Sequence, residues 1–227
     1  MLREVVSATA PDEAPAPVSM QREVSRLTPS DFEAVAAMRA AAFAMKNPIC
    51  FRVCWQADAR AASAKESVKV HESYAKDAPQ KLTHCGVVRD ANGTAIGAVQ
   101  LQMPGDPLDR HLGGMASSFQ LPGEVHVEWI GTAPAAQGQG VGSALLKWAD
   151  ETAKASGARF MSLEVMAGNP RARRLYERQG YAVTRNAHDD GKDPVDRLCT
   201  ACLTPPFVFC CMGCRYCRVH YMEKQLS

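Results

Sequence analysis

No stretch of this chain approaches the roughly 20 consecutive apolar residues that a membrane-spanning helix needs. Net charge is nearly absent too. The 26 Lys and Arg stand against 24 Asp and Glu, leaving +2, so composition gives no argument for a nucleic acid or an anionic membrane as partner. The opening segment "MLREVVSATAPDEAPAPVSM" lacks the basic start and long apolar stretch of a secretory leader. Its acids and scarce arginines argue against a transit peptide. Residues 1–17 read as a disordered tail, and a cytoplasmic location is the expectation. No internal repeat is visible.

What is present suits a soluble globular protein: 46% hydrophobic and 22% charged residues in a chain of 227. That length suffices for one domain with a real core, expected over residues 18–227. The cysteines are unevenly placed. Cys50, Cys54 and Cys85 are scattered, whereas Cys199, Cys202, Cys210, Cys211, Cys214 and Cys217 fall within nineteen residues. Without a secretory leader, clustered cysteines suggest metal before disulfides.

Periodicity orders the elements. "SMQREVSRL" alternates as a first strand. A helix follows in "TPSDFEAVAAMRAAAFAM", where Ser30 and Glu33 fit a capping box and Phe32, Val35 and Ala36 share a face. "ADARAASAKESVKVHESYAKDA" reads as a second helix. "KLTHCGVVRD" and "TAIGAVQLQM" flank "ANG", a hairpin turning at Asn92-Gly93. "EVHVEWIGTA" is a strand. "VGSALLKWADETAKAS" places Val141, Ala144, Leu145, Trp148, Thr152 and Ala155 on one helical stripe. "RFMSLEVMAG" is a strand, and "NPRARRLYERQG" a helix capped by Asn169, with Pro170 at its first position and Gly180 past its end. "YAVTRNA" and "RVHYMEKQL" complete the set. The hairpin implies antiparallel strands in the first half, and the alternation of strand and helix implies parallel pairing in the second. The fold class is α/β with a mixed sheet.

Between the fourth strand and the helix after it lies "QGQGVG", residues 137–142. Three glycines in six residues mean that something must approach the backbone closely. A helix N-terminus exposes free N–H groups and positive dipole charge, which suits phosphate. Two nucleotide motifs fail here. The P-loop needs Lys-Ser/Thr after its last glycine, where Ser143-Ala144 stands. The dinucleotide fingerprint needs glycine at 143. The pattern Q/R-x-x-G-x-G/A is met in full by Gln137, Gly140 and Gly142.

That pattern resembles the acyl-CoA motif of the GNAT acetyltransferase superfamily. The resemblance continues in N-x-x-A-x-x-x-Y-x-x-x-G-Y/F, which falls on Asn169, Ala172, Tyr176, Gly180 and Tyr181. It implies a centrally splayed sheet flanked by helices, and an acetyl-CoA-dependent N-acetyltransferase in which an amine attacks the thioester directly. Acetyl-CoA is the implied co-substrate. Its pyrophosphate would rest on Gln137, Gly138, Gln139, Gly140, Val141, Gly142 and Ser143, with Asn169 and Arg173 nearby. Its pantetheine would run along Ile130, Gly131 and Thr132. Tyr176 matches the tyrosine that protonates the leaving thiolate. The base is His126 or Glu128, alternating on one strand face ~7 Å apart; an ordinary solvated strand face is the plain alternative. The acceptor is a small-molecule amine or, as the rival, a protein N-terminus or lysine. A non-catalytic acyl-CoA-binding module is a further rival. A homodimer is expected as the assembly.

The cysteine segment interrupts the resemblance as an insertion at about residues 190–217, before the last strand. Its C-x-x-C pairs suit a tetrahedral zinc site from Cys199, Cys202, Cys214 and Cys217, with His220 as a substitute ligand. Reversible acylation, disulfides under oxidation and an unliganded apolar loop are open alongside zinc.

Overall fold

The computed structural model describes residues 22–43, 57–106, 121–166, 169–186 and 219–227. The elements follow in the expected order with one addition, a helical turn where the strand is expected to begin at Lys81: β1 (Val24–Arg26), α1 (Phe32–Phe43), α2 (Ala57–Asp77), the helical turn α3 (Gln80–Thr83), β2 (Cys85–Arg89), β3 (Ala95–Gln102), β4 (Glu124–Thr132), α4 (Val141–Ala155), β5 (Phe160–Met166), α5 (Pro170–Arg178), β6 (Ala182–Asn186) and β7 (Val219–Gln225). The seven strands form one mixed sheet in the order β1-β2-β3-β4-β5-β7-β6. Among the described residues, no helix is long and apolar enough to cross a membrane.

β1 to β4 are antiparallel, joined at β2–β3 by the expected turn at Asn92-Gly93, where Gly93 has φ +79°. β4 and β5 are parallel. The expected parallel pairing stops there, because β7 lies between β5 and β6 and is antiparallel to both. The α5 crossover leaves one strand's width open, and the last strand fills it. Parallel register between β4 and β5 runs from Glu124↔Phe160 to Val127↔Leu163 and ends, although β4 continues to Thr132 and β5 to Met166. The sheet is therefore open at its centre.

Neighbouring strand residues enter separate cores, since side chains alternate across a strand. Val88, Val99, Leu101, Val125 and Val127 pack with α4, and Val87, Ala98, Cys85 and Trp129 pack with α1. On α1, Phe32, Val35 and Ala36 are buried as expected. Its start differs from the expected Ser30–Glu33 box. Asp31 turns back instead, its Oδ2 accepting from the Thr28 backbone at 2.8 Å and from Thr28 Oγ1 at 2.7 Å. A short 3₁₀ turn precedes α1 and shifts the cap by two residues.

The buried stripe of α4 is Val141, Leu145, Leu146, Ala149 and Ala153, whereas Ala155 is exposed. The expected stripe shares Val141 and Leu145 with it and otherwise runs along the neighbouring side of the helix, through Ala144, Trp148, Thr152 and Ala155. Trp148 instead lies over Gly86, where a Cβ would stand 2.6 Å from its ring. A Cβ at Gly97 would stand 2.3 Å from Val141. Two strand glycines thus let α4 settle against the sheet, which brings the start of α4 level with the central opening.

Candidate active site

The glycine turn is built by backbone conformation. Gly138 and Gly140 have φ +82° and +80°, a region that a side chain rarely tolerates. Gly140 is the N-cap of α4 and contributes no side-chain cap; its carbonyl accepts the first helical bond, from Ala144. The N–H groups of Val141, Gly142 and Ser143 are therefore the first-turn donors with no helical acceptor. Val141 offers only its backbone, for its side chain is core. Gly142 also lies against α5. Its φ is not positive, and a Cβ there would stand 2.9 Å from Leu175 Cδ2 of α5. The glycine gives the two helices room to approach.

Two cations flank this turn. Arg171 Nη1 donates to Gln137 Oε1 at 3.0 Å, and Arg22 donates to Gln139 Oε1 at 2.8 Å and to its carbonyl at 3.1 Å. Neither arginine is foreseen by the motif. The expected Arg173 instead pairs with Glu177 one turn along, at 2.8 Å. Asn169 caps α5, its side chain accepting from Ala172 N at 3.1 Å. Of the two arginines, Arg171, in the first turn of α5, is the one placed against the loop.

Ile130, Gly131 and Thr132 pair with β3 on one side, and their other edge lies beyond the end of the β4–β5 register. Just before them the β3 register slips. Gln100 faces Trp129 and Leu101 faces Val127, so Glu128 is the extra residue of a bulge. The bulge breaks the regular alternation expected between His126 and Glu128. Both remain near Gln102, but they join different networks. Glu128 Oε1 lies 3.9 Å from Nζ of the buried Lys81, which also reaches Gln102 Oε1 at 3.3 Å and stands 4.8 Å from the centre of the Tyr74 ring.

His126 is buried among polar groups from three strands. Its Nδ1 lies 2.7 Å from Ser162 Oγ on β5. Ser162 donates to Glu124, whose Oε1 also accepts from Tyr221 of β7 at 2.7 Å and whose Oε2 accepts from the Leu121 backbone at 2.6 Å. Burial pulls the imidazole pKa down to about 4, against the opposing pull of the Glu124 carboxylate. His126 is thus neutral at neutral pH, as a base must be. The unfolded chain, with an ordinary imidazole near pKa ~6.5, then binds the proton first as pH falls. Stability is expected to drop between pH 6.5 and 4, by ~2 kcal/mol at pH 5 relative to pH 7.5 from this group alone. Urea titrations of wild type and His126→Gln at both pH values check this; an equal pH dependence in the two proteins would contradict it.

Tyr176 packs into the core below the turn, edge-on to Tyr181 with ring centres 6.2 Å apart. Burial raises its pKa to about 12. The phenol keeps its proton across the working range. Full transfer to a thiolate of ordinary pKa ~8.5 would be uphill by ~5 kcal/mol, so Tyr176 is suited to hydrogen-bond donation. Cys199, Cys202, Cys214 and Cys217 lie outside the described residues. Among the described residues, no group of three or more His, Cys, Asp or Glu is placed to hold a metal ion. His220 sits in β7, as expected.

A glycine turn at a helix start beside a parted pair of parallel strands matches the expectation carried by the two motifs. The profile of the acetyltransferase (GNAT) family matches residues 50–181, more than half of the chain. The chain belongs to the GNAT family. An aminoalkylphosphonate N-acetyltransferase of Salmonella typhimurium is 39% identical over 96 residues, which are 40% of this GNAT chain and 51% of that protein. The matched region is thus about half the length of that curated relative. Solved structures share the GNAT fold at low identity. yncA from Salmonella typhimurium, with its cofactor acetyl-CoA, has a TM-score of 0.58 and 18% identity, covering 91% of this chain and 94% of that one. A ribosomal-protein-alanine N-acetyltransferase from Brucella melitensis has a TM-score of 0.57 and 16% identity, covering 90% and 99%.

Proposed function

We propose that this GNAT protein is an N-acetyltransferase that moves the acetyl group of acetyl-CoA to the primary amine of a small molecule, by direct attack on the thioester. The observation that carries the reading is the opening of the sheet after Val127↔Leu163, beside the uncapped N-terminus of α4. Acetyl-CoA supplies an activated acetyl thioester. The N–H groups of residues 141–143, with Gly138 and Gly140 making room and Arg22 and Arg171 adding charge, would hold its pyrophosphate. Ile130, Gly131 and Thr132 would hold the pantetheine by their main chain, and an N–H near Ile130 or Gly131 would face the acetyl oxygen. His126 takes the proton of the amine. Tyr176 donates a hydrogen bond to the leaving sulfur. Glu128, engaged with Lys81, shapes the acceptor side.

For the acceptor, the near-neutral charge of the chain favours a small amine. The 39% identity to an aminoalkylphosphonate N-acetyltransferase points the same way. Thiol release from acetyl-CoA, measured over a panel of aminoalkylphosphonates, other small amines and peptides with free N-termini or lysines, tests the reading. The small amines are expected to turn over with the higher kcat/KM. Turnover of peptides alone would reassign the acceptor. Bound acetyl-CoA with no turnover on any amine would make the protein a binding module.

A further inference from the structure

His126 has two ring nitrogens, and only one of them can be a base. The neutral ring is a donor at one nitrogen and an acceptor at the other, so its use depends on what fixes the tautomer. The network described above decides this by counting protons. Ser162 Oγ carries a single hydrogen. Tyr221, which also lies within hydrogen-bond reach of Ser162, gives its own proton to Glu124, which leaves two acceptors to compete for it: the Glu124 carboxylate and His126 Nδ1. A buried carboxylate is the stronger, since a hydrogen bond to an ionised oxygen is worth about twice a neutral one. Glu124 is itself anchored, with the Leu121 N–H on one oxygen and the Tyr221 hydroxyl on the other. With its hydrogen committed to Glu124, Ser162 Oγ has only lone pairs for the imidazole, and Nδ1 must carry the proton.

We infer that Ser162 and Glu124 are positioning residues for His126, holding the ring as the Nδ1–H tautomer so that the lone pair of Nε2 is available for the proton of the acceptor amine. The inference rests on His126 as the base. When the amine proton passes to Nε2, the ring becomes an imidazolium that keeps its Nδ1–H on Ser162. The Glu124 carboxylate, 3.8 Å from Nδ1, stabilises that charge. Other charged or titratable groups share this face by strand alternation or approach it: Glu128 on β4, Glu164 on β5, Tyr221 and Glu223 on β7, and Lys81 from α3. Of these, Tyr221 joins the chain of hydrogen bonds that ends at Nδ1. Its pKa is pushed up to about 12, burial being the main cause, so it donates to Glu124 at every working pH. The placement also explains why polar residues are tolerated in the middle of the sheet. Glu124, His126 and Ser162 are all nearly inaccessible, and each has its partner within the trio.

The test is ring ¹⁵N NMR on the full-length protein labelled in histidine, with His126 assigned by its loss in His126→Gln. Wild type at pH 7 is expected to show the Nδ1–H tautomer. Ser162→Ala is expected to shift the ring toward Nε2–H and to lower kcat by ~10- to 100-fold, below the ~10²–10⁴-fold that a base itself contributes. KM for acetyl-CoA should stay within ~2-fold, because no ground-state contact to it is lost. Ser162→Thr, which keeps the hydroxyl, is expected to restore both tautomer and rate. Glu124→Gln provides a second probe at equal volume, with a partial loss of the tautomer preference. A wild-type ring in the Nε2–H form overturns the inference, as does a Ser162→Ala protein with unchanged tautomer and kcat. A wild-type rate in His126→Gln, alongside the stated tautomer, removes the base reading separately.

Discussion

Replacing His126 by glutamine is expected to lower kcat by ~10²–10⁴-fold and to leave the affinity for acetyl-CoA near its wild-type value. The shape of the pH profile follows from the same buried ring. An imidazole held at about 4 cannot deprotonate a free ammonium of pKa ~10 in the ground state, because that step is uphill by ~8 kcal/mol. The acceptor must react as the neutral amine, and its proton moves to Nε2 only as attack makes the nitrogen acidic. kcat/KM is therefore expected to climb with pH up to the pKa of the amine, with no inflection near 6.5. An inflection there that vanishes in His126→Gln would mean a hydrated, ordinary imidazole and would contradict this account. Tyr176→Phe is expected to lower kcat by only ~10-fold, since it removes one donated hydrogen bond. Glu128→Gln should read first as lost stability, because it leaves the buried Lys81 without its carboxylate.

The second large effect is expected at the glycine turn, where neighbouring glycines should respond differently. Gly140→Val is expected to weaken acetyl-CoA binding by ~10- to 100-fold, the equivalent of the ~1–3 kcal/mol of backbone strain in a non-glycine left-handed residue. No atom would meet a Cβ at Gly140 within 4 Å, so conformation and not free space sets this cost. Gly140→Asn, which adopts positive φ more readily, should recover part of the affinity. Gly142→Ala is expected to act through α5: its Cβ would meet the terminal Cδ2 of Leu175 at 2.9 Å, which a small side-chain shift relieves, so the loss appears as under ~1 kcal/mol of stability. Leu175→Ala in the same chain should relieve that loss. Calorimetric titration with acetyl-CoA and urea unfolding separate the two cases. Equal loss of binding at both positions without loss of stability would return Gly142 to the phosphate site.

Much of this architecture is legible in the chain because its signals are local. The order of strands and helices follows from periods of two and 3.6 residues. The Asn92-Gly93 turn and the Asn169-Pro170 start of α5 follow from what those residues do to their own backbone. The pattern Gln137-x-x-Gly140-x-Gly142 points to a phosphate cradle for the same reason: its meaning lies within six residues. Where local signals tie, reading fails by small amounts. Thr28–Asp31 and Ser30–Glu33 both match a capping box, and only the 3₁₀ turn decides between them. The stripe of α4 is misplaced because Trp148 lies beside the buried face, over a glycine that belongs to another strand.

By itself, then, the sequence determined the element order, the mixed α/β class, the family resemblance and the glycine turn. The tertiary structure decided the neighbours. β7 between β5 and β6, the bulge at Glu128, the place of Arg171 beside Gln137, and the joining of His126 to Ser162 and Glu124 all depend on strand register and helix packing. His126 and Ser162 are 36 positions apart, and Tyr221 lies 97 beyond Glu124. No periodicity spans such separations. A hydrogen bond needs its atoms within about 3 Å, and a one-residue slip of register would turn Ser162 to the opposite face of the sheet. The chemistry proposed for His126 is therefore a property of the assembled sheet.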